Sequence, residues 1–169
     1  FGVGADGLIL LEESDYLDFS MRYFNADGKE ATMCGNGGRC IVAFAHEMGL
    51  VEKSTRFQAS DGIHEAEVLE PDKVSLKMSD VSHVSQIPQG YLVDTGSPHL
   101  VIFVDNLHDM DVYVEGRKLR YDPDLSSGGI NVNFVSFSGE NKLEIRTYER
   151  GVENETFACG TGSVAAALS

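Results

Sequence analysis

Alternating hydrophobic and polar residues predict a half-buried strand over residues 17–23, where every second side chain is apolar. The apolar run at residues 8–11 predicts an earlier strand. From residue 35 to residue 48 the hydrophobic period becomes helical, and Gly49 follows as a helix-ending residue. Because few polar residues interrupt this segment, we expect the helix to be largely buried.

The middle of the chain contains short runs of strand-forming residues, separated by turn signals such as S-D-G and E-P-D. We expect strands at residues 56–60, 64–69, 74–78, 91–93, 100–104, 131–137 and 143–148. Residues 112–119 have a helical pattern, and a second apolar helix follows the sequence C-G-T-G near the C-terminus.

The end of the chain repeats an arrangement found near its beginning. In each copy an alternating strand leads to a polar residue, and a C-G-x-G segment opens an apolar helix nine positions later. Asn25 and Cys34 form the first pair, and Arg150 and Cys159 form the second pair, 125 residues further on. This repeat predicts two pseudo-symmetric halves that combine helices and strands, an α/β chain of the α+β type.

We place the first half at residues 1–82 and the second at residues 83–169, with the boundary in the segment 82–88. The chain begins at Phe1 without a methionine, and residues 164–169 form a helical pattern with no stop signal. We therefore expect a fragment in which the first half lacks its N-terminal part and the second half lacks its C-terminal part.

The amino-acid composition argues against some classes of binding partner. The 169 residues carry 13 Lys and Arg against 27 Asp and Glu, a net charge of −14, which argues against binding to nucleic acid or to an anionic membrane. No 18-residue apolar segment is present. The chain has three cysteines and no C-x-x-C, a pattern that argues against a disulfide framework and favours a reducing, cytoplasmic location.

The two C-G-x-G segments suggest chemistry. A cysteine at the start of a helix lies where backbone N–H groups are unpaired and the helix dipole is positive, which favours its thiolate. The adjacent glycines would let a ligand carboxylate approach these N–H groups. For one such segment, a small buried thiol is an equally good interpretation. Two symmetric copies favour a reactive pair, Cys34 and Cys159.

Two thiols on opposite sides of a bound molecule can invert a stereocentre, since one thiolate removes a proton from carbon and the other thiol returns one to the opposite face. Helix N-termini would stabilise the charge that develops on the carbon acid. The six lysines all lie in polar contexts, so no candidate for a pyridoxal phosphate lysine stands out. We therefore expect an enzyme without a cofactor.

Longer motifs carry a family resemblance. Residues 24–40, F-N-A-D-G-K-E-A-T-M-C-G-N-G-G-R-C, and residues 148–162, Y-E-R-G-V-E-N-E-T-F-A-C-G-T-G, resemble the two signature segments of diaminopimelate epimerases. G-V-G-A-D-G-L, D-T-G-S-P-H and N-V-N-F-V resemble other landmarks of this family in the same order. The resemblance implies that each half is a mixed, mainly antiparallel sheet around a central helix.

The resemblance also implies an isomerase that interconverts LL- and meso-diaminopimelate with two cysteines and no cofactor, in lysine and cell-wall precursor biosynthesis. It implies a homodimer. Four positions match catalytic residues of the family: Cys34, Cys159, His99 and Glu149. Nine positions match substrate-binding residues: Asn25, Gly35, Asn36, Ser97, Asn131, Glu149, Arg150, Gly160 and Thr161. Ser97 departs from the family pattern, in which Asn is frequent.

Within this set the resemblance assigns different roles. The helix starts at Gly35–Asn36 and Gly160–Thr161 would hold the carboxylate of the reacting centre. Asn25, Asn131 and Arg150 would bind the distal amino-acid head. Glu149 would contact an ammonium group, and His99 would assist one of the thiols.

Two other functions remain open at this stage. Proline racemases and hydroxyproline epimerases share the fold and the thiol pair, but proline has no second charged head that would justify burying Glu149 and Arg150. A thiol redox protein is the alternative from another class, and it would use Cys34 and Cys159 as a reversible disulfide.

Some residues have simpler interpretations. A metal site at Cys34, Cys40 and His46 is disfavoured, because the spacing does not place the two cysteines on one helical face and a metal would block the Cys34 thiolate. We expect Cys40 in the core. Solvent exposure is expected for His64, His83, His108 and the acidic segment 153–155.

Overall fold

The structure is a computed structural model that describes residues 4–5, 7–70 and 72–169. The chain divides into two compact units, Phe1–Met78 and Ser79–Ser169, which we call unit 1 and unit 2. The division predicted from the sequence lies between residues 82 and 83. Residues 2, 3 and 6 of the G-V-G-A-D-G-L motif and the proline of the E-P-D signal lie outside the described residues.

Among its described residues, unit 1 combines a six-stranded sheet with one helix. Its elements are β1 (Gly7–Glu12), β2 (Phe19–Asn25), β3 (Glu30–Ala31), α1 (Gly35–Glu47), β4 (Ser54–Ala59), β5 (Gly62–Glu70) and β6 (Lys73–Leu76). The strand order is β1-β2-β4-β5-β6, with β3 paired to β2. Only the β2–β4 pair is parallel among these pairings, so the sheet is mixed and mainly antiparallel.

The core of unit 1 forms where the sheet packs on α1. The predicted alternation in β2 buries Phe19 and Met21, and the Phe19 ring stacks on Phe57 of β4 with centroids 4.9 Å apart. Ile41 and Ala45 supply part of the buried face of the helix. The helical period of the sequence therefore selects the side of α1 that faces the sheet.

Helix α1 is less buried than the sequence suggested. Asn36, Cys40 and Phe44 are exposed and recur every four residues, so they form one stripe along the helix. In the described part of the chain, the sheet covers only the opposite side. The prediction that Cys40 lies in the core is wrong for this reason: Cys40 lies on the stripe that faces away from Ile41 and Ala45.

Unit 2 contains a second six-stranded sheet and two α-helices. Its elements are β7 (Val84–Ile87), β8 (Gly90–Asp94), β9 (Pro98–Phe103), α2 (Val112–Arg120), β10 (Asn131–Gly139), β11 (Lys142–Glu149), β12 (Asn154–Thr156) and α3 (Gly160–Leu168). The order is β12-β11-β10-β9-β8-β7, and only β9 and β10 pair in parallel among these neighbours.

The sheet of unit 2 has a helix on each face. Leu100 and Phe134 pack in the cluster that contains Val112 of α2, whereas Val101 and Val135 pack with Ala165 of α3. The period of two along β9 and β10 decides which residues face α3. His99, Asn131 and Asn133 fall on this face, near the end of the sheet where α3 begins. Unit 2 therefore places these three polar side chains close to Cys159, the residue before α3.

The predicted fold class is confirmed, since both units are mixed, mainly antiparallel sheets packed on a helix. Three short strands, β3, β7 and β12, were missed. Strand β7 lies inside the segment that the sequence suggested as a boundary. Each of these strands has four residues or fewer, so its alternation is too brief to separate it from a loop. No helix among the described residues has the length and apolar character needed to cross a membrane.

Candidate active site

Cys34 is the N-cap residue of α1. Its backbone is extended (φ −100°, ψ 144°), and its sulfur accepts a hydrogen bond from the Gly37 N–H at 3.1 Å. The carbonyl of Cys34 accepts the first helical hydrogen bond, from Gly38, at 2.8 Å. An N–H donor and the positive end of the helix both favour negative charge on this sulfur. The half-buried Cys34 therefore lies where a thiolate is stabilised.

Cys159 occupies the equivalent position before α3. Its backbone is also extended (φ −128°, ψ 103°), and its carbonyl accepts the N–H of Ser163 at 2.9 Å. The Cys159 sulfur accepts no capping hydrogen bond from the helix backbone, whereas the Cys34 sulfur does. Cys159 Sγ lies 3.4 Å from the Thr161 hydroxyl. The two C-G-x-G corners share a backbone conformation and differ in how the sulfur is contacted. All three cysteines of the chain are present as thiols.

His99 connects the Cys159 corner to the sheet. It is fully buried, with Nε2 3.0 Å from the Thr161 hydroxyl and Nδ1 3.0 Å from the side-chain nitrogen of Asn133. Burial lowers the pKa of His99 to about 4. The imidazole is therefore neutral at neutral pH. The Thr161 hydroxyl lies within hydrogen-bond distance of both this ring and the Cys159 sulfur.

Asn133 and Thr147 complete this group, and neither was predicted from the sequence. Asn133 is fully buried, donates to the Leu100 carbonyl at 3.1 Å and accepts from the Thr147 hydroxyl at 3.0 Å. A usable signal was present in N-V-N-F-V, where two asparagines share one face of an apolar strand. A buried amide needs hydrogen-bond partners, so this pattern indicates a polar network.

Asn131 joins three segments of the predicted distal-head site. Its amide nitrogen donates to Ser97 Oγ at 2.8 Å and to the Pro98 carbonyl at 3.1 Å. Its amide oxygen accepts the backbone N–H of Arg150 at 2.9 Å. Both amide hydrogens are thus used within the protein. The structure places Asn131 where it positions Ser97 and Arg150.

Arg150 begins the turn after β11 and is half-buried. Burial, together with the neighbouring charge of Arg120, lowers the pKa of Arg150. No described carboxylate lies within salt-bridge distance of its guanidinium, in contrast to Arg120 and Arg146. A partly desolvated guanidinium of this kind suits an anionic ligand, because a carboxylate can accept two of its hydrogen bonds.

Glu149 precedes Arg150 at the end of β11 and is also half-buried. The hydroxyl of Thr156, on β12, donates to its carboxylate at 2.8 Å. Because β12 pairs with β11 through Glu149 and Asn154, the short strand brings this hydroxyl to the carboxylate. Thr156 is a third polar residue of the site that was not predicted from the sequence.

The turn that carries Arg150 is fixed by the acidic segment after it. Glu153 accepts two hydrogen bonds from Arg120, at 3.1 and 2.8 Å, and one from the Gly151 N–H at 3.0 Å. Burial alone would raise the pKa of Glu153, but these hydrogen bonds hold it below its ordinary value. Glu155 forms a two-bond pair with Arg146, at 2.7 and 2.8 Å. Asn154 and Glu155 are exposed, as expected, whereas Glu153 is half-buried because Arg120 reaches it in the fold.

The predicted residues of unit 1 lie around the Cys34 corner and the end of β2. Gly35 is buried at the first turn of α1, whereas Asn36 is exposed and accepts a hydrogen bond from Arg39 at 2.5 Å. Asn25 ends β2, and its carbonyl accepts the N–H of Gly28 at 2.9 Å. Asn25 also lines a cavity of about 530 Å³ with Phe24.

Gly160 and Thr161 open α3, and both are half-buried. The Thr161 carbonyl accepts a hydrogen bond from the Thr95 hydroxyl at 3.3 Å. Unit 2 thus brings together eight of the predicted residues: Ser97, His99, Asn131, Glu149, Arg150, Cys159, Gly160 and Thr161. Their substrate roles remain predictions.

One histidine outside this group differs from expectation. His64 is buried, and its Nε2 lies 3.0 Å from Asp61, because β5 turns its side chain toward the core. His83 and His108 are exposed, as predicted. Among the described residues, no three His, Cys, Asp or Glu side chains are grouped so that they could hold a metal ion.

Comparison with known sequences gives strong matches. A sequence model of the family described as diaminopimelate epimerase matches residues 1–84 and 91–169. A diaminopimelate epimerase from Flavobacterium psychrophilum is 50% identical over 169 residues, which cover 100% of this chain and 66% of that protein. One from Aquifex aeolicus is 43% identical over 180 residues, which cover 99% of this chain and 64% of that protein. The chain thus spans about two thirds of the length of these relatives.

Solved structures of low sequence identity share the fold. A Bacillus anthracis phenazine biosynthesis protein of the PhzF family superposes with a TM-score of 0.72 at 18% identity, covering 95% of this chain and 64% of that one. A hydroxyproline epimerase from Agrobacterium vitis gives a TM-score of 0.69 at 16% identity, covering 96% and 59%. At this distance the likeness concerns architecture alone. The sequence matches are far closer and extend over both units, so the chain belongs to the diaminopimelate epimerase family.

Proposed function

We propose that the protein interconverts LL- and meso-diaminopimelate by exchanging a proton at the α-carbon between Cys34 and Cys159. The observation that carries this proposal is that each cysteine is the N-cap of a helix opened by a C-G-x-G segment. Membership of the diaminopimelate epimerase family supports the choice of substrate.

The reaction balances with two thiols. One cysteine thiolate takes the α-proton, and the electron pair left on carbon delocalises into the adjacent carboxylate. The thiol of the other cysteine then gives its proton to the opposite face, which inverts the centre and exchanges the protonation states of the two sulfurs. Backbone N–H groups at Gly35–Asn36 and Gly160–Thr161 would stabilise the charge on the carboxylate during this step.

The distal head of the substrate calls for groups of both charges. Arg150 would bind the distal carboxylate, and the carboxylate of Glu149 would contact an ammonium group. The absence of any described salt bridge at Arg150 and its partly buried position support this assignment. Asn131 and Ser97 would hold this part of the site in place through the hydrogen bond between them.

The proposal is tested by deuterium exchange at the α-carbon in D₂O, with LL-diaminopimelate, meso-diaminopimelate and L-proline as separate substrates. We expect exchange with both diaminopimelate isomers and none with proline. Replacing either thiol, in Cys34→Ser or Cys159→Ser, removes one proton carrier and lowers epimerisation by at least about 100-fold.

Cys40→Ser is the matched control, because Cys40 is exposed on the outer stripe of α1 and its loss leaves epimerisation unchanged. Exchange with proline alone would instead indicate a proline racemase. Full epimerisation by Cys34→Ser or by Cys159→Ser would contradict the two-thiol mechanism.

We further propose that the enzyme acts in the cytoplasm as a homodimer. The cysteine pattern of the sequence, three cysteines without a C-x-x-C, supports a reducing location. Resemblance to the family supports the dimer. Sedimentation equilibrium of the purified chain tests the second point, with twice the chain mass expected and the mass of a single chain as the contradicting result.

A further inference from the structure

We infer that Asn133 is a positioning residue: its side-chain amide holds His99 in the tautomer that carries hydrogen on Nε2, so that the Thr161 hydroxyl directs its own hydrogen at the Cys159 sulfur. The inference deepens the proposed function, on which it rests for the reactive role of Cys159. The hydrogen-bond directions themselves follow from the geometry of unit 2.

The orientation of the Asn133 amide is fixed by the main chain. One of its two terminal atoms lies 3.1 Å from the Leu100 carbonyl, which can only accept a hydrogen bond. The atom at this position must therefore be the nitrogen. The amide oxygen then points to Thr147, whose hydroxyl donates to it at 3.0 Å.

The same nitrogen determines the state of the imidazole. An amide NH₂ has two hydrogens and accepts nothing, so its second hydrogen donates to His99 Nδ1, 3.0 Å away. Nδ1 must offer a lone pair to accept this bond. In the neutral ring the hydrogen is then on Nε2, which leaves Nε2 as a donor.

Two successive hydrogen bonds connect His99 to the Cys159 sulfur, and both involve the Thr161 hydroxyl. Nε2–H donates to Thr161 Oγ1 at 3.0 Å, so the hydroxyl oxygen is an acceptor there. Its single hydrogen is free to donate to Cys159 Sγ, 3.4 Å away. Such a donor favours the thiolate over the thiol, because a hydrogen bond to the charged form stabilises it.

Burial makes this arrangement stable. Asn133 and His99 are each fully buried, and Thr147 is nearly so, so exchange of any of these partners with water is prevented. Gly162 leaves the room for it: a Cβ at this position would collide with the amide oxygen of Asn133. A reversed amide would face its oxygen toward the Leu100 carbonyl, and the other tautomer would face Nδ1–H toward the Asn133 NH₂. Either change brings two acceptors or two donors together in a buried position, which is costly.

The first test measures the tautomer directly in the unaltered chain. Nitrogen-15 NMR of histidine side chains distinguishes a protonated ring nitrogen from one with a lone pair, and His99→Gln assigns the signal. We expect His99 to show protonated Nε2 and unprotonated Nδ1 at neutral pH, with exposed His83 as the reference that averages both tautomers. A protonated Nδ1 in the unaltered chain would overturn the inference, whatever the activity.

The second test replaces the donor with an acceptor of the same shape. In Asn133→Asp the side chain accepts from the ring, so we expect Nδ1 to become protonated in the same spectrum. An unchanged Nδ1 signal in a folded Asn133→Asp protein would overturn the role of Asn133. Circular dichroism establishes that this variant is folded.

The third test follows the consequence at the sulfur without any substrate. Alkylation by iodoacetamide at neutral pH, read by peptide mapping, reports the thiolate content of Cys159. We expect Thr161→Val and Asn133→Leu to slow alkylation of Cys159 by about tenfold, the effect of losing one hydrogen bond to a charged group. Thr161→Ser keeps the hydroxyl and restores the rate, and Cys40 serves as an internal reference.

Equal alkylation rates in Thr161→Val and Thr161→Ser would overturn the link between Thr161 and the sulfur. Because neither the NMR nor the alkylation experiment needs diaminopimelate, their outcome is separate from that of the epimerase assay. A chain that shows both expected results and lacks epimerase activity would retain this inference and lose the proposed reaction.

Discussion

At Gly162 a side chain would disturb the site, because the helix lies close to Asn133. Inside a helix, alanine is preferred over glycine by about 1 kcal/mol. Yet a Cβ at Gly162 would collide with the Asn133 amide oxygen and would lie 3.2 Å from Cys159 Sγ. The contacts between the helix and the sheet therefore outweigh helix propensity at this position.

We predict that Gly162→Ala lowers the free energy of unfolding by about 1–2 kcal/mol, because the clash exceeds the gain in propensity. It should also slow alkylation of Cys159. Gly128→Ala is the control, since its Cβ would meet only Arg150 Nη1 at an ordinary 3.9 Å. Urea unfolding of both variants measures the difference, and equal stabilities would contradict the prediction.

Individual residues also mark the limit of sequence reasoning. His99 and Asn131 could be predicted because they lie in recognisable motifs, D-T-G-S-P-H and N-V-N-F-V. Asn133, Thr147 and Thr156 act through hydrogen bonds to residues far away in sequence or across a short hairpin. Such pairings depend on strand register, which a single sequence leaves open.

At the scale of elements, α1 ends in a motif that the sequence specified well. The N–H of Gly49 donates to the His46 carbonyl at 3.0 Å, and that of Leu50 donates to the Ala45 carbonyl at 2.9 Å. This pair of hydrogen bonds requires a left-handed backbone conformation at Gly49, whose φ is +74°.

We predict that Gly49→Ala lowers the free energy of unfolding by about 1 kcal/mol, because a Cβ is strained in the left-handed region. Gly49→Asn should cost less, since asparagine tolerates that region. Thermal or urea unfolding of the two variants tests the ranking. A Gly49→Ala protein as stable as the parent would show that the helix end adjusts without strain.

The turn between β11 and β12 is held by a different means, a salt bridge to α2. The guanidinium of Arg120, only 12% exposed, pairs with Glu153, which also accepts the N–H of Gly151 next to Arg150. The turn is thus positioned by a helix that lies about 30 residues earlier in the sequence.

We predict that Glu153→Gln lowers the free energy of unfolding by about 2 kcal/mol, because it leaves a largely buried guanidinium without its counter-charge. Glu155→Gln breaks the more exposed pair with Arg146 and should cost less than about 1 kcal/mol. If the protein is an epimerase, Glu153→Gln also raises KM through displacement of Arg150. Urea unfolding and steady-state kinetics test both effects, and the reverse order of stability would contradict them.

At the scale of the whole molecule, folding carries His99 into an environment that resists protonation. Its pKa is lowered to about 4 in the native chain by burial, whereas an unfolded histidine titrates near 6.5. Between these two values the unfolded chain binds more protons than the native chain. Stability therefore falls as the pH falls through this window, and it is unaffected by His99 at higher pH.

We predict that His99 contributes a loss of up to about 3 kcal/mol in unfolding free energy between pH about 6.5 and about 4. His99→Gln removes this contribution, so its stability varies less with pH over that range. Replacing the exposed His83 by Gln should leave the slope of the parent chain unchanged. Urea unfolding at a series of pH values makes the comparison, and equal slopes for the parent and His99→Gln would contradict it.

The sequence by itself determined the local part of this protein: the alternation that forms β2, the glycine that ends α1, and the two cysteines that begin α1 and α3. These features depend on neighbouring residues, whose spacing is set by the geometry of a strand or a helix. The tertiary structure alone decided that Cys40 faces outward, that His64 is buried, and how His99 connects to Cys159. Those outcomes depend on which sheet face or helix side meets its partner, and the register that fixes this is a property of the folded chain.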